Sequence, residues 1–233
     1  MNNATIQIKI KERLNKLDSL DYDNLECWQI VEAFNKTQIE WCRRQLHGGN
    51  IYKEGDEMSK RRVDDLQILL RELLLTGVNT DTYFEAQNFP TNYLEFKRIS
   101  IDATQECCPE PTAVTVYLAE EANVNLILRD PLKRPDFAWR ETFCTMIDNN
   151  IRIYKTDFTV VDPILTYYKK PRNIEILNCI DPYTGVISVV DIISEFKDDI
   201  VELIVDETAS MLAGDINEVN QAQRGSQGAE RSN

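Results

Sequence analysis

The stretch from Phe196 to Asp215, FKDDIVELIVDETASMLAGD, narrows most what this chain can fold into. Ile200, Val201, Leu203, Ile204, Thr208, Met211 and Leu212 recur at helical spacing, while Asp198, Asp199, Glu202, Asp206 and Glu207 fall on the opposite face. The pattern predicts an amphipathic helix that starts near Ser194 or Glu195 and runs to about Asn220. Its apolar stripe has to be covered by helices laid down earlier, with the strands of the chain inserted between.

Three such helices are expected. Ile6, Ile10, Leu14 and Leu17 mark a short one over residues 5–17. Asp23 with Glu26 resembles a capping-box entry to a stronger one, carried by Cys27, Ile30, Val31, Phe34, Gln38, Trp41 and Cys42 and stopped by Gly48-Gly49, with His47 in its last turn. Ser59 can cap a third, in which Val63, Leu66, Leu69, Leu70, Leu73 and Leu74 form one face until Gly77. A short connection pairs the second and third helices antiparallel.

After Gly77 the apolar period changes to two. Strands are expected at Tyr83 to Glu85, Tyr93 to Asp102, Thr112 to Leu118, Ile164 to Tyr168 and Ile174 to Leu177, with a hairpin from Trp139 to Tyr154 turning at Asp148 to Asn150. The prolines in Cys107-Cys-Pro-Glu-Pro111 predict a loop, as do those in Arg129 to Pro135, and Glu120 to Leu128 reads as a short helix. The fold class expected is α+β: an antiparallel helical bundle of N- and C-terminal helices (1–78 and 191–220), a central, mainly antiparallel β insertion (79–190), and a flexible tail (221–233).

Chemistry is sparse. Neither a Gly-rich phosphate loop nor a G-x-S-x-G elbow occurs, and the only imidazole is His47. The expectation is no catalytic residue, no cofactor and no metal. The six cysteines, Cys27, Cys42, Cys107, Cys108, Cys144 and Cys179, form no C-x-x-C pair and read as buried free thiols of a reducing compartment. Asp64-Asp65 and Asp198-Asp199 could serve a metal-dependent nuclease, but adjacent helical residues diverge by about 100°, so neither pair converges on one ion. The aromatic residues of the strand region read as a β core rather than a stacking platform, because few basic residues interleave with them.

Charge points to partners. The net charge of −13 disfavours a protein that grips nucleic acid. From Asp191 to Asn220 nine acids stand against one base, Lys197, which suits a partner's basic patch or a channel wall that must not hold DNA. The compact basic cluster Lys60-Arg61-Arg62 reads as a solvated first helical turn or a contact for an acidic partner. No apolar run reaches the roughly 20 residues that cross a bilayer, and the N-terminal MNNATIQIKIKERL has no signal-like apolar core, so synthesis and residence in the cytosol are expected.

The order of elements, with Phe89-Pro90 and Tyr93-Leu94, Leu165-Thr-Tyr-Tyr-Lys-Lys-Pro171, and Phe196 to Asp215, resembles the head-to-tail connector proteins of tailed bacteriophages. These are the adaptor, ring or tail tubular A-type proteins, and the likeness is nearest to the virion ring proteins of crAss-like phages. The resemblance implies a homo-oligomeric ring of about twelve copies that docks beneath the portal and beside adjacent ring or tail proteins. Such a ring is assembled in the host cytoplasm, resides in the virion neck and passes DNA only in transit. Lys60, Arg61 and Arg62, with Asp198, Asp199, Glu202, Asp206 and Glu207, are then the candidates for interface and lumen. The rival readings are an acidic regulatory module, either a DNA mimic or a hook for a host protein, and the nuclease.

Overall fold

The structure, a computed structural model, describes residues 1–15, 25–47 and 64–216. It divides into two compact units: Met1–Ile68 with Pro171–Asn233, and Leu69–Lys170.

The first unit holds α1 (Asn3–Asn15), α2 (Cys27–His47) and a long closing helix, Asp198–Ile216. The closing helix packs against both α1 and α2. Ile200, Val201, Ile204, Val205 and Leu212 meet Ile6, Ile10 and Leu14 of α1 and Ile30, Phe34 and Trp41 of α2 in one buried set. Thr208 lies in the same buried stripe and satisfies its hydroxyl by donating to the Ile204 carbonyl at 2.7 Å. The helix starts at Asp198, later than expected, because Phe196 is drawn down onto Trp41, their rings edge to face at 5.4 Å between centroids. At α2 the Gln29 side chain accepts from the Glu26 backbone N–H at 3.0 Å, the return half of a capping box; Asp23 lies outside the described residues.

The second unit is a single eight-stranded sheet in the order β1-β8-β4-β5-β6-β7-β3-β2. Its strands are β1 (Leu70–Leu74), β2 (Gly77–Asn79), β3 (Tyr83–Ala86), β4 (Tyr93–Gln105), β5 (Cys108–Leu118), β6 (Glu141–Ile147), β7 (Asn150–Tyr154) and β8 (Thr159–Lys169). Every pairing is antiparallel except β5 with β6. A parallel pair needs a crossover, and the chain supplies one in residues 119–140, including α3 (Val124–Arg129). The closing helix is thus α4. Ile99, Ile101 and Ala103 of β4, Val160 and Leu165 of β8, and Ile151 and Ile153 of β7 fill the inner face of the sheet. A smaller cluster of Val124, Phe143 and Tyr154 fixes the crossover, with Phe143 and Tyr154 stacked at 4.5 Å.

This architecture corrects the expected helical bundle with a β insertion. The sheet dominates a mixed α+β fold, and one strand comes from residues assigned to the third helix. Residues 64–66 are helical and Gln67–Leu69 form a 3-10 turn, but Leu70–Leu74 pair with Ile164 to Tyr168 as β1. The leucine run satisfies both periods. Leu69 and Leu75 are buried and Leu73 half-buried, all even numbers of positions apart and so on one strand face, and the open edge of β8 decides for strand. Ser59 and Val63 lie outside the described residues, and among the described ones α2 has no antiparallel helical partner in the third-helix segment. The Cys107 to Pro111 loop is also shorter than expected, since β5 starts at Cys108. Because β6 pairs only from Thr115 onward, Pro109 and Pro111 lie where one edge of β5 is unclaimed, and prolines two apart present their missing N–H groups to the same edge. Ile174 to Leu177 makes only an isolated bridge, Glu175 with Ile192.

Leu165 is fully buried on β8, between β1 and β4. Leu165→Ala should cost about 2–5 kcal/mol of stability by chemical denaturation, since a central strand cannot collapse into the void. The buried thiols give a second test. Burial pushes Cys42 up to about 12, with the Glu195 charge adding, and pushes Cys144 up to about 12. Both thiols hold their protons more tightly in the fold than at the ordinary value of 9.0, so this contribution is complete below pH 9.0 and is lost as pH rises towards 12. Circular dichroism should therefore record destabilisation across that window, lessened in Cys42→Ala and Cys144→Ala.

Candidate binding groove

Between the end of the sheet and α4 the chain makes an excursion from residue 173 to 192 that is shaped like a hairpin. Its base is tied by Glu175 and Ile192, which exchange backbone hydrogen bonds at 3.0 and 2.9 Å. Further out, Ser188 N–H donates to the Cys179 carbonyl at 2.8 Å and Asp181 N–H to the Val186 carbonyl at 3.0 Å. The tip, Asp181-Pro-Tyr-Thr-Gly185, turns because the Asp181 carboxylate accepts from Tyr183 N–H at 2.9 Å and from the Thr184 hydroxyl at 2.8 Å. Gly185 closes the turn at a φ of +68°, a conformation that favours glycine.

Three ties fasten this excursion to helices of its own unit. Asn3 of α1, itself buried, donates through Nδ2 to the Glu175 and Ile192 carbonyls at 2.8 and 3.0 Å and to Asp191 at 2.7 Å. Asn35 of α2 acts like a strand edge: its Oδ1 accepts from Ile174 N–H at 2.8 Å and its Nδ2 donates to the Ile174 carbonyl at 3.3 Å. A disulfide joins Cys27, the first residue of α2, to Cys179, with 5.8 Å between their Cα atoms. This bond corrects the expectation of six free thiols. Cys107 and Cys108, expected to be buried, are exposed, and Cys42 and Cys144 are buried.

Helix and excursion enclose a groove of about 610 Å3. Its helix wall is the stripe Trp28, Val31, Glu32 and Asn35, at spacings of three and four, on the face of α2 left free by the core. Its other wall runs from Asn173 to Ser188. Trp28 and Tyr183 meet edge to face at 6.2 Å between centroids, and Tyr183 is 79% exposed. Val31, Ile174, Ile176 and Val186 supply an apolar lining, while Glu32, Glu175 and Asp181 bring three carboxylates and no described residue of the lining brings a cation. The two hydrogen bonds at the tip, the Tyr183 N–H first, hold the Asp181 carboxyl below the usual carboxylate range.

The residues singled out from sequence lie elsewhere. Lys60, Arg61 and Arg62 fall outside the described residues. On α4, Glu202 pairs with Lys9 and with Arg13 (2.8 Å), Asp206 with Arg13 (2.6 Å), Glu207 with Arg44, and Asp198 with the N-terminal amine of Met1. Four of the five acids assigned to a partner or channel are thus met by α1, α2 and the N-terminus, and Asp199 stays exposed. Asp64 and Asp65 do not join Asp198 and Asp199: among the described residues no group of three His, Cys, Asp or Glu could hold a metal ion. No described helix is long and apolar enough to cross a membrane.

The sheet unit has its own cavity of about 440 Å3, beside the crossover. Of its lining, Leu118 and Leu132 are exposed, Leu132 by 71%, and Leu126 and Trp139 of the crossover are exposed as well. The groove had two signals in the sequence: the turn residues Asp181-Pro-Tyr-Thr-Gly185, and the Trp28, Val31, Glu32, Asn35 stripe, which is masked by the stronger core stripe of the same helix. Compared with known proteins, the chain matches no family model and no curated protein sequence.

The cysteine arrangement sets a direct test. Without reductant, denatured protein should titrate four thiols with a chromogenic disulfide, and native protein should react first at Cys107 and Cys108 while Cys42 and Cys144 stay protected. Six titratable thiols would show that the Cys27–Cys179 bond is absent.

Proposed function

We propose that this chain is a structural subunit of a tailed-phage virion, forming a homo-oligomeric ring in the neck between the portal and the tail. The observation that carries the reading is that each unit exposes several large apolar side chains within a short stretch of chain. In the first unit these are Tyr183, Val186 and Val189 of the excursion and Ile193 just after it, Val189 being 82% exposed. In the second they are Leu126, Leu132 and Trp139 of the crossover. Large apolar side chains left to solvent, where they gather in a patch, mark sites of protein association. A cyclic ring requires two unlike faces on every subunit, one to give and one to receive, and two separate apolar surfaces fit that need.

The pairing of the acids changes how the reading deals with DNA. With Glu202, Asp206 and Glu207 engaged by α1 and α2, a lumen that repels phosphate draws on the net charge of −13 as a whole, not on a bare face of α4. An eight-stranded sheet, in place of a helical bundle, supplies one of the two compact units of the subunit.

Native mass spectrometry and negative-stain imaging, on the purified protein alone and mixed with its portal, test the proposal. Rings in either sample are expected, and Leu132→Asp or Val189→Asp should deplete them without changing the thermal melt. A persistent monomer in both samples overturns the reading.

A further inference from the structure

We propose that the groove between α2 and the 173–192 excursion is a recognition site for an arginine side chain presented by another protein. The inference goes beyond the ring reading and does not depend on it. It rests on the match between the lining and one side-chain chemistry.

Arginine combines a flat, charged head that stacks on aromatic rings with an apolar stem of three methylenes. The groove offers a counterpart to each part. Tyr183 presents an open ring, and its edge-to-face meeting with Trp28 makes an aromatic corner. Val31, Ile174, Ile176 and Val186 line the way in for the stem. The carboxylates retain acceptor capacity: Glu32 is exposed and its carboxylate bonds to no described residue, and Glu175 uses Oε2 for the Ser188 hydroxyl at 3.0 Å. Asp181 uses one bond per oxygen, and a carboxylate offers about four acceptor positions. Three negative charges beside an apolar lining, with no described cation in the wall, leave an excess that a guanidinium would partly offset.

The walls are also held ready. The disulfide fastens the outgoing arm of the excursion to α2, and Asn35 and Asn3 fasten its base, so little order has to be created on binding. The donor of the arginine is a basic partner protein, which the net charge of −13 draws in.

The test uses the full chain, labelled with 15N, titrated with Nα-acetyl-arginine methylamide, and with the citrulline analogue, which has the same shape without the charge. Shifts at the Trp28 indole and at the Thr184 and Gly185 amides are expected for the arginine compound, weakening as salt is raised. Glu32→Gln should bind it about threefold more weakly. Since Glu32 is exposed and its carboxylate bonds to no described residue, that variant should melt like the parent. Shifts of equal size with citrulline, or none at Trp28 up to the solubility of the probe, overturn the assignment. Ring formation is read separately, so a negative result here leaves the connector proposal standing.

Discussion

The first unit depends on a helix covered along two sides. α4 carries a buried stripe with acids flanking it, and an acid at the rim of a helix interface is tolerated only if the neighbour brings a cation or leaves it to water. Here Lys9 and Arg13 from α1 and Arg44 from α2 are placed where Glu202, Asp206 and Glu207 fall. These pairs are half open to solvent, so each adds little to stability. Their larger effect is on register, because α4 shifted by one turn against α1 would break the joint pairing of Glu202 with Lys9 and Arg13. The apolar stripe supplies the adhesion, and the charges select one alignment from several that bury comparable area.

That arrangement also explains how an excess of acid in the sequence misleads. Nine acids against one base in a 30-residue window from Asp191 to Asn220 is a property of local sequence, and the cations that answer it lie more than 150 residues earlier. A window that counts only neighbours cannot see Arg13 or Arg44. The apolar period, in contrast, is a local property with a local consequence, so α1, α2 and α4 were readable from it, as were the β6–β7 hairpin, most of β4 and the second half of β8. Where both periods were satisfied, in Leu69 to Leu75, local reading failed. The deciding fact was the free edge of a strand some 90 residues away, which no propensity records.

The groove shows the same division between local and distant. Its turn was legible, since Asp-Pro-Tyr-Thr-Gly names its own geometry, and the stripe of Trp28, Val31, Glu32 and Asn35 was present at helical spacing. What brings the two together is Asn35 copying a strand edge, Asn3 reaching the base of the excursion, and Cys27 meeting Cys179. Each is an ordinary residue type with no spacing signal, and cysteines 152 positions apart do not announce a pair.

The Cys27–Cys179 bond has a mechanical consequence. The entire sheet unit, Leu69 to Lys170, lies inside the covalent loop that this bond closes. Tension applied at the two ends of the chain passes from α2 across the sulfur atoms to residue 179 and on into α4, so the sheet lies off the line of force. The helical unit would bear the whole pull and extend alone, while the eight strands stayed paired, shielded by a single bond in the unit that they do not belong to.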